Sequence, residues 1–292
     1  MKRKLTALLC GAAMMFLTSC GESDLNATVF VTSMGVSLNE GEYTVSVYGS
    51  AARGEETEDI SASGTGRTAA EALINAAEDC KMELFLGHCT GIAANSAALR
   101  DSAMLAEFAG GEISPACPVY FSDSPGKGAE NIPAEGFGTE LYELSVFSKN
   151  GVPAVIPVAE DPERVAVLTA QETILTDSED SLGIMILRGE AVPRTVTVSG
   201  ENGFETVTIS PETKRSAYYA DGVLHADMTV ELNISEASEQ AAVSAAELIR
   251  EICISAYVKL VNDMGIDAVG ISSLTGYNEA QLTGSRLVLT VE

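Results

Sequence analysis

Near the carboxyl end of the chain, a stretch of alternating apolar and polar residues is followed at once by a long amphipathic segment. This order of segments restricts the possible folds more than any other feature of the sequence. In residues 223–235, VLHADMTVELNIS, apolar and polar side chains alternate, which predicts a strand with one buried and one solvent-exposed face. Residues 238–265 repeat apolar side chains at helical spacing and predict a helix of about 26 residues, roughly 39 Å long. A half-apolar sheet beside a half-apolar helix predicts that the two pack together.

The amino-terminal half begins with a predicted hairpin. Residues 28–36 and 42–49 are rich in β-branched and aromatic side chains, and the turn formers Asn39 and Gly41 lie between them. Further along, residues 96–109 carry apolar side chains broadly on one side and predict a helix. Short strands with a long late helix indicate an α+β fold, in which mixed or antiparallel sheets pack with helices.

A glycine-rich step precedes the first predicted helix. Thr68 and Glu71 fit a capping box, so a helix should start here. The same stretch contains Gly64-x-Gly66-x-x-Ala69, which matches part of a dinucleotide fingerprint. The fingerprint also needs a buried strand before it and an acidic residue about 20 positions later, and neither is evident. We therefore predict no cofactor.

The chain is long enough for more than one compact unit. Between residues 114 and 138, four prolines and four glycines mark a loop-rich passage and the best candidate for a domain boundary. The predicted multi-domain arrangement is a removed segment 1–19, an amino-terminal domain 20–135 and a carboxyl-terminal region 136–292, with possible subdomains 136–220 and 221–292.

The first twenty residues are typical of a secretory signal. Three basic residues precede an uncharged, mostly apolar run over residues 5–17, which is short of the roughly 20 residues that a membrane-spanning helix needs. Leu17-Thr18-Ser19-Cys20 resembles a bacterial lipobox, in which the cysteine receives a diacylglyceryl group, becomes the first residue and is usually acylated further. We expect lipid attachment at Cys20; the alternative is an ordinary signal peptide with an unmodified cysteine.

The charge of the chain excludes one class of partner. The formal net charge is −25, and loss of the basic signal segment makes it more negative still. Nucleic acid and anionic lipid would be repelled by such a body, so we expect neither to bind its surface.

Four cysteines lie beyond the predicted anchor: Cys80, Cys89, Cys117 and Cys253. An extracytoplasmic setting permits disulfides, but the sequence leaves three pairings and buried free thiols open. Their wide spacing lacks the paired ligands of a structural zinc site, so we predict no metal.

The two histidines give no sign of catalysis. Residues 84–91, LFLGHCTG, are predicted as a strand, which would point His88 and Cys89 to opposite faces. His225 lies on the polar face of the alternating strand beside Asp227. Because nucleophile and metalloprotease motifs are also missing, we predict no catalytic residues, and a secreted hydrolase using either histidine is disfavoured.

Taken together, these segments resemble the Ger(x)C family, the lipoprotein C subunits of nutrient germinant receptors. The similar segments are the lipobox, the hairpin ATVFVTSMGVSLNEGEYTVSV, the pattern SGTGRTAAEAL, the segment KMELFLGHCTGIAAN with its Leu-Gly-His step, the passage PERVAVLTAQETILTDSEDSLGIMILRGE, and IDAVGIS with its Asp-x-x-Gly step. The chain departs from the family at Gly110-Gly111, where an Arg-Asp pair is usual, and it contains no tryptophan.

The resemblance implies a non-enzymatic, three-domain subunit held on the outer face of a membrane, the inner spore membrane in a germinant receptor. It implies assembly with an integral-membrane A subunit and a transporter-like B subunit. The other function that we consider is an extracytoplasmic solute-binding lipoprotein, which would need a cleft with convergent polar groups.

Overall fold

The computed structural model describes residues 27–53, 56–132, 139–150, 153–201, 203–235, 237–275 and 282–292. With 33% helix and 44% strand in two mixed sheets that pack with helices, the chain has the predicted α+β architecture.

Among the described residues, ten strands form the first sheet, in the spatial order β10-β9-β8-β6-β5-β1-β2-β3 with β4 beside β1 and β7 beside β6. They are β1 Thr28–Asn39, β2 Glu42–Arg53, β3 Glu56–Gly66, β4 Glu83–Phe85, β5 Gly91–Ala94, β6 Pro118–Phe121, β7 Thr139–Glu140, β8 Ala154–Val158, β9 Asp161–Leu168 and β10 Thr173–Leu175. The strands β1, β5, β6 and β8 run parallel and form its centre.

The predicted amino-terminal hairpin is confirmed. Strands β1 and β2 pair antiparallel as far as Asn39 and Glu42. The two residues between them, Glu40 and Gly41, have φ of 52° and 83°, as a type I′ turn requires. This turn fixes the register of the hairpin.

Helices cover both faces of the first sheet. They are α1 Ala69–Cys80, α2 Ser96–Arg100, α3 Ser102–Ala109, α4 Pro125–Glu130 and α5 Leu141–Asn150. On one face, Ile92 and Ala94 of β5 join a large apolar core with residues of α1, α2, α3 and α5. Between them in sequence, Ala93 joins a smaller core that contains Ala129 of α4. Alternation along β5 thus places α4 on the opposite face.

The predicted helix over residues 96–109 is interrupted at Asp101. This residue ends α2 and caps α3, since its Oδ1 accepts the backbone N–H groups of Ala103 at 2.8 Å and Met104 at 3.3 Å. Its Oδ2 accepts the hydroxyl of Tyr43, from the hairpin. Burial alone would raise the pKa of Asp101, but these hydrogen bonds outweigh it and lower that pKa below its usual value.

Asp101→Asn should therefore change the acid limb of the unfolding curve. Because the folded-state pKa is depressed, the stabilisation from the charge is present above the unfolded-state value of about 3.9 and is lost as pH falls through the folded-state pKa. Thermal unfolding between pH 2 and 7 should show the variant destabilised near neutrality and equal to the parent at the acid end. Asp79→Asn, at an exposed position of α1, is the control. A gap between Asp101→Asn and the parent that stays constant with pH would contradict this prediction.

The second sheet has the order β11-β12-β13-β14, and its last two strands run parallel. Its strands are β11 Arg194–Gly200, β12 Gly203–Ala220, β13 Val223–Ser235 and β14 Arg286–Val291. Two runs of strand-forming residues, 204–210 and 215–220, belong to the single long strand β12. Pro211 is tolerated there because the pairing of β11 with β12 ends at Ile209, so no N–H is needed on that side.

The predicted long helix packs on this sheet. It comprises α7 Glu239–Tyr257 and a π-helical turn, Val258–Asp263, that continues it; α8, Ile271–Thr275, follows. The apolar face of β13, with Leu224, Met228 and Val230, forms one core with Ile249 and Cys253 of α7. The alternating and helical patterns therefore meet as predicted.

Helix α6, Ser178–Arg188, joins the two sheets. Val165 and Val167 of β9 share a core with Ile184 of α6 and Leu260 of the π turn. The first sheet continues through β8, β9 and β10 as far as Leu175, past the predicted boundary at residues 135 and 136. Strand order alone does not define domains, so the predicted domain boundaries stay predictions.

Candidate functional site

A cleft of about 580 Å³ opens between α4 and the strands β1, β2 and β3. Its lining comes from β1, β2, β3, α4 and the residues next to β5, namely Thr32, Ser33, Tyr48, Gly49, Asp59, Ile60, Ser61, Thr90, Ala129, Glu130 and Ile132. Hydroxyl and carboxylate groups thus converge on one concave surface. Its volume lies within the range of about 300–1,000 Å³ that is typical of small-molecule sites.

A β-bulge at Thr32 shapes the floor of this cleft. The pairing of β1 with β2 shifts between Val31 and Ser33, so Thr32 is an extra residue in β1. Its Oγ1 donates to the carbonyl of Tyr48 at 3.1 Å. Its carbonyl accepts from the backbone N–H of Thr90 at 2.8 Å and from the hydroxyl of Thr90 at 2.9 Å. The bulge therefore connects the cleft to the segment that precedes β5.

Tyr48 and Glu130 meet in the cleft, from β2 and α4. Burial, together with the charge of Glu130 and a hydrogen bond to it, raises the pKa of the Tyr48 phenol. The hydroxyl accordingly stays protonated and donates to the carboxylate. Asp59 contributes a second carboxylate from β3. Two negative charges disfavour an anionic ligand, so the cleft suits a neutral polar or a cationic small molecule.

The segment LFLGHCTG is not a strand throughout, which corrects the prediction. Its ends belong to β4 and β5, and the residues between them form a turn closed by a hydrogen bond from the N–H of Cys89 to the carbonyl of Leu86 at 3.0 Å. Leu86 and Cys89 are buried, whereas Gly87 and His88 are exposed. The cause is the bulge at Thr32, because β4 pairs with β1 before it and β5 pairs with β1 after it.

Each histidine packs on aromatic rings. The ring of His88 lies 5.3 Å from that of Phe85 and 6.0 Å from that of Phe30, centroid to centroid. His225 lies on β13, as predicted, and stacks on Tyr218 of β12 at 5.0 Å with an angle of 4° between the rings. The two histidines thus belong to different sheets.

The cysteines occupy three environments. Cys80 is half-buried at the end of α1, and Cys253 is buried in the core of the second sheet, where burial raises its pKa to about 12. Cys89 and Cys117 are buried side by side in the first sheet, with 4.0 Å between their sulfur atoms. Within the described ranges, no three or more His, Cys, Asp and Glu side chains are grouped to hold a metal ion. The predicted lipid site, Cys20, lies outside the described residues.

The Asp-x-x-Gly step is a helix-capping turn. Asp267 accepts the N–H groups of Ile271 at 2.7 Å and Ser272 at 2.8 Å, which starts α8. Gly270 has φ of 69°, in the left-handed region that favours glycine. Arg215 of β12 donates to the carbonyl of Val269 at 2.5 Å and holds this turn against the second sheet. The step therefore has a structural role.

The residues of the cleft were not singled out by the sequence. Glu130 falls in the passage predicted as loop, although Ser124 followed by Pro125 is a typical helix start and was the available signal. Tyr48 was assigned correctly to the hairpin, but nothing in its spacing connects it to Glu130.

No helix in the described part of the chain combines the length and the apolar character needed to cross a membrane.

A scan against protein-family models gives no match, and a comparison with curated proteins gives none either. Among solved structures, the crystal structure of the GerBC protein is similar to this chain, with a TM-score of 0.51 and 9% sequence identity. The similarity covers 88% of this chain and 95% of that chain. At this identity it shows a shared fold, and the resemblance to the Ger(x)C family predicted from the sequence is confirmed at that level.

Proposed function

We propose that the chain is a non-enzymatic lipoprotein subunit of a membrane-bound nutrient germinant receptor that acts in spore germination. The observation that carries this proposal is the fold shared with the GerBC protein over 88% of the chain. Two short signatures noted in the sequence support it further. The Leu86-Gly87-His88 step is a turn beside a bulge, and the Asp267-to-Gly270 step caps a helix, so both have structural roles.

Lipid attachment at Cys20 is part of the proposal. Ala27, the first described residue, lies seven positions after Cys20, and seven residue steps span at most about 25 Å. An anchored body would stay within that distance of the membrane surface. Confinement of this kind raises the effective concentration of membrane partners, so modest contacts with the integral-membrane A and B subunits would be sufficient for assembly.

A second candidate function, solute binding, is favoured by one observation. The cleft at Tyr48 and Glu130 has the volume and the convergent polar groups that a small-molecule site requires. A solute-binding lipoprotein would deliver its ligand to a permease and would have no need of the A and B subunits. The two functions therefore differ in the proteins that accompany the chain in the membrane.

Co-isolation from spore membranes tests the proposal. The full-length chain carries an affinity tag behind a flexible carboxyl-terminal linker, and membranes are solubilised in mild detergent after brief cross-linking. We expect two polytopic proteins, the A and B subunits, to copurify in comparable amounts. A tagged lipoprotein of unrelated fold from the same membrane is the control. Recovery of the chain alone, or with an ABC permease, would favour solute binding and contradict the receptor assignment.

A further inference from the structure

Two buried thiols lie next to each other at the centre of the first sheet. The sulfur atoms of Cys89 and Cys117 are 4.0 Å apart, and the residues are 7% and 2% exposed. Cys89 lies two residues before β5, and Cys117 immediately precedes β6. These strands run parallel with Ile92 opposite Val119, so the backbones that carry the two thiols are already neighbours.

We propose that Cys89 and Cys117 form a disulfide bond that links β5 to β6. A sulfur–sulfur bond is about 2.05 Å long, so the sulfur atoms must approach by roughly 2 Å. Rotation of the two side chains about their Cα–Cβ bonds can supply this movement, since adjacent strands are about 4.8 Å apart. The two sulfur atoms are already in contact, and each thiol lies next to one of two paired strands.

The other two described cysteines are poorly placed to compete. Cys253 belongs to the core of the second sheet, which is separate from the core that contains Cys89 and Cys117. Cys80 ends α1, and its thiol donates to the carbonyl of Ala77 in the same turn at 3.4 Å. The structure thus favours a single Cys89–Cys117 bond, with Cys80 and Cys253 left as free thiols.

The oxidant is an external disulfide, either of a thiol–disulfide oxidoreductase or of a small thiol. The Cys89 thiolate attacks one sulfur of that disulfide and forms a mixed disulfide, and the carrier's other sulfur leaves as a thiolate. The Cys117 thiolate then attacks the Cys89 sulfur and releases the second carrier sulfur. Two protons leave the protein, and the two electrons reduce the carrier.

Because both thiols are buried in the folded protein, we expect them to be oxidised during folding. An external disulfide reaches them before the sheet closes, so oxidation should accompany folding. In the cell this requires an oxidising compartment and therefore rests on the proposed extracytoplasmic location. Formation of the bond in vitro does not depend on that location, so the purified chain can be tested in isolation.

The test is refolding of the full chain from denaturant in a buffer of oxidised and reduced glutathione, followed by acid quenching, alkylation under denaturing conditions and peptide mapping. We expect a cross-linked peptide that joins residues 89 and 117, and an intact mass lower by two hydrogens. The double variant Cys80→Ser with Cys253→Ser should keep this bond. The double variant Cys89→Ser with Cys117→Ser should lose this cross-linked peptide.

Stability gives a second readout. The bond closes a loop between residues 28 positions apart, and loops of this length predict that the oxidised protein melts roughly 5–15 °C above the reduced one. Alkylation of both Cys89 and Cys117 in the refolded wild-type protein would overturn the proposal, as would a disulfide that joins either of them to another cysteine. Neither result depends on the germinant-receptor assignment, which the co-isolation experiment tests separately.

Discussion

A Cys20→Ala protein should not incorporate palmitate and should leave the membrane fraction. The reason is that Cys20 follows the apolar run with Leu17, Thr18 and Ser19 at lipobox positions. Each methylene buried in the bilayer contributes about 0.8 kcal/mol, so two or more acyl chains form a durable anchor. The loss of label should be close to complete, because Cys20 is the acylation site that the lipobox provides.

Cells are grown with labelled palmitate, and membranes are washed with high salt before the chain is isolated. Cys10→Ala is the matched control, because Cys10 lies in the same amino-terminal segment but inside the apolar run. That variant should keep both label and membrane association. If Cys20→Ala still carries label and remains in the washed pellet, the anchor is elsewhere and the lipobox interpretation is wrong.

Gly183→Ala should destabilise the protein by about 2 kcal/mol, the middle of the range for overpacked cores. Gly183 lies in α6 where that helix crosses α7. A Cβ atom added there would lie 2.7 Å from the carbonyl oxygen of Ile252 and 2.8 Å from the Cβ of Ala256. The first of these atoms is backbone, so α6 and α7 would have to separate. Their separation would also disturb the core that joins the two sheets.

The measurement is the midpoint of denaturant unfolding, compared with Gly126→Ala. Gly126 is also helical, but an added Cβ would lie 3.6 Å from the nearest atom, the hydroxyl oxygen of Ser46, which is ordinary contact. The gain in helix propensity should make that variant neutral or slightly stabilised. Equal midpoints for the two variants would show that α6 and α7 are not as close as described.

Local sequence pattern was sufficient to predict the elements that are determined mainly by residues close to them in the chain. The hairpin follows from two strand-forming runs and a short turn, and the start of α1 follows from Thr68 and Glu71. Alternation in β13 and helical spacing in α7 predicted the second core. In each case one periodicity persists over enough residues to outweigh individual exceptions.

Elements that depend on distant partners could not be predicted. The turn over Leu86 to Thr90 replaces a predicted strand because Thr32, 58 residues from Thr90, forms a bulge opposite it. Strand β6 lies in the passage assigned as loop, since a mostly buried strand of four residues that starts with a proline gives no periodic signal. The cleft needs both the bulge and α4, so its residues meet only after the sheet has formed.

Helix α4 shows why composition led to the prediction of a loop in this passage. Its sequence, PGKGAE, contains two glycines and has little intrinsic tendency to form a helix. The structure requires Gly128, because a Cβ there would lie 2.7 Å from the side chain of Ser122 and 3.1 Å from that of Ala93. Close packing on the sheet thus outweighs propensity, and this packing is not readable from the sequence.

The response of spores to nutrients tests the central proposal most directly. The gene is deleted in a spore former that carries it and has no paralogue, and release of dipicolinate is followed after addition of nutrients. A receptor subunit predicts normal sporulation and normal germination with exogenous dipicolinate, together with a slowed response to at least one nutrient that the intact gene restores. Normal germination with every nutrient tested would contradict the germinant-receptor assignment and favour solute binding.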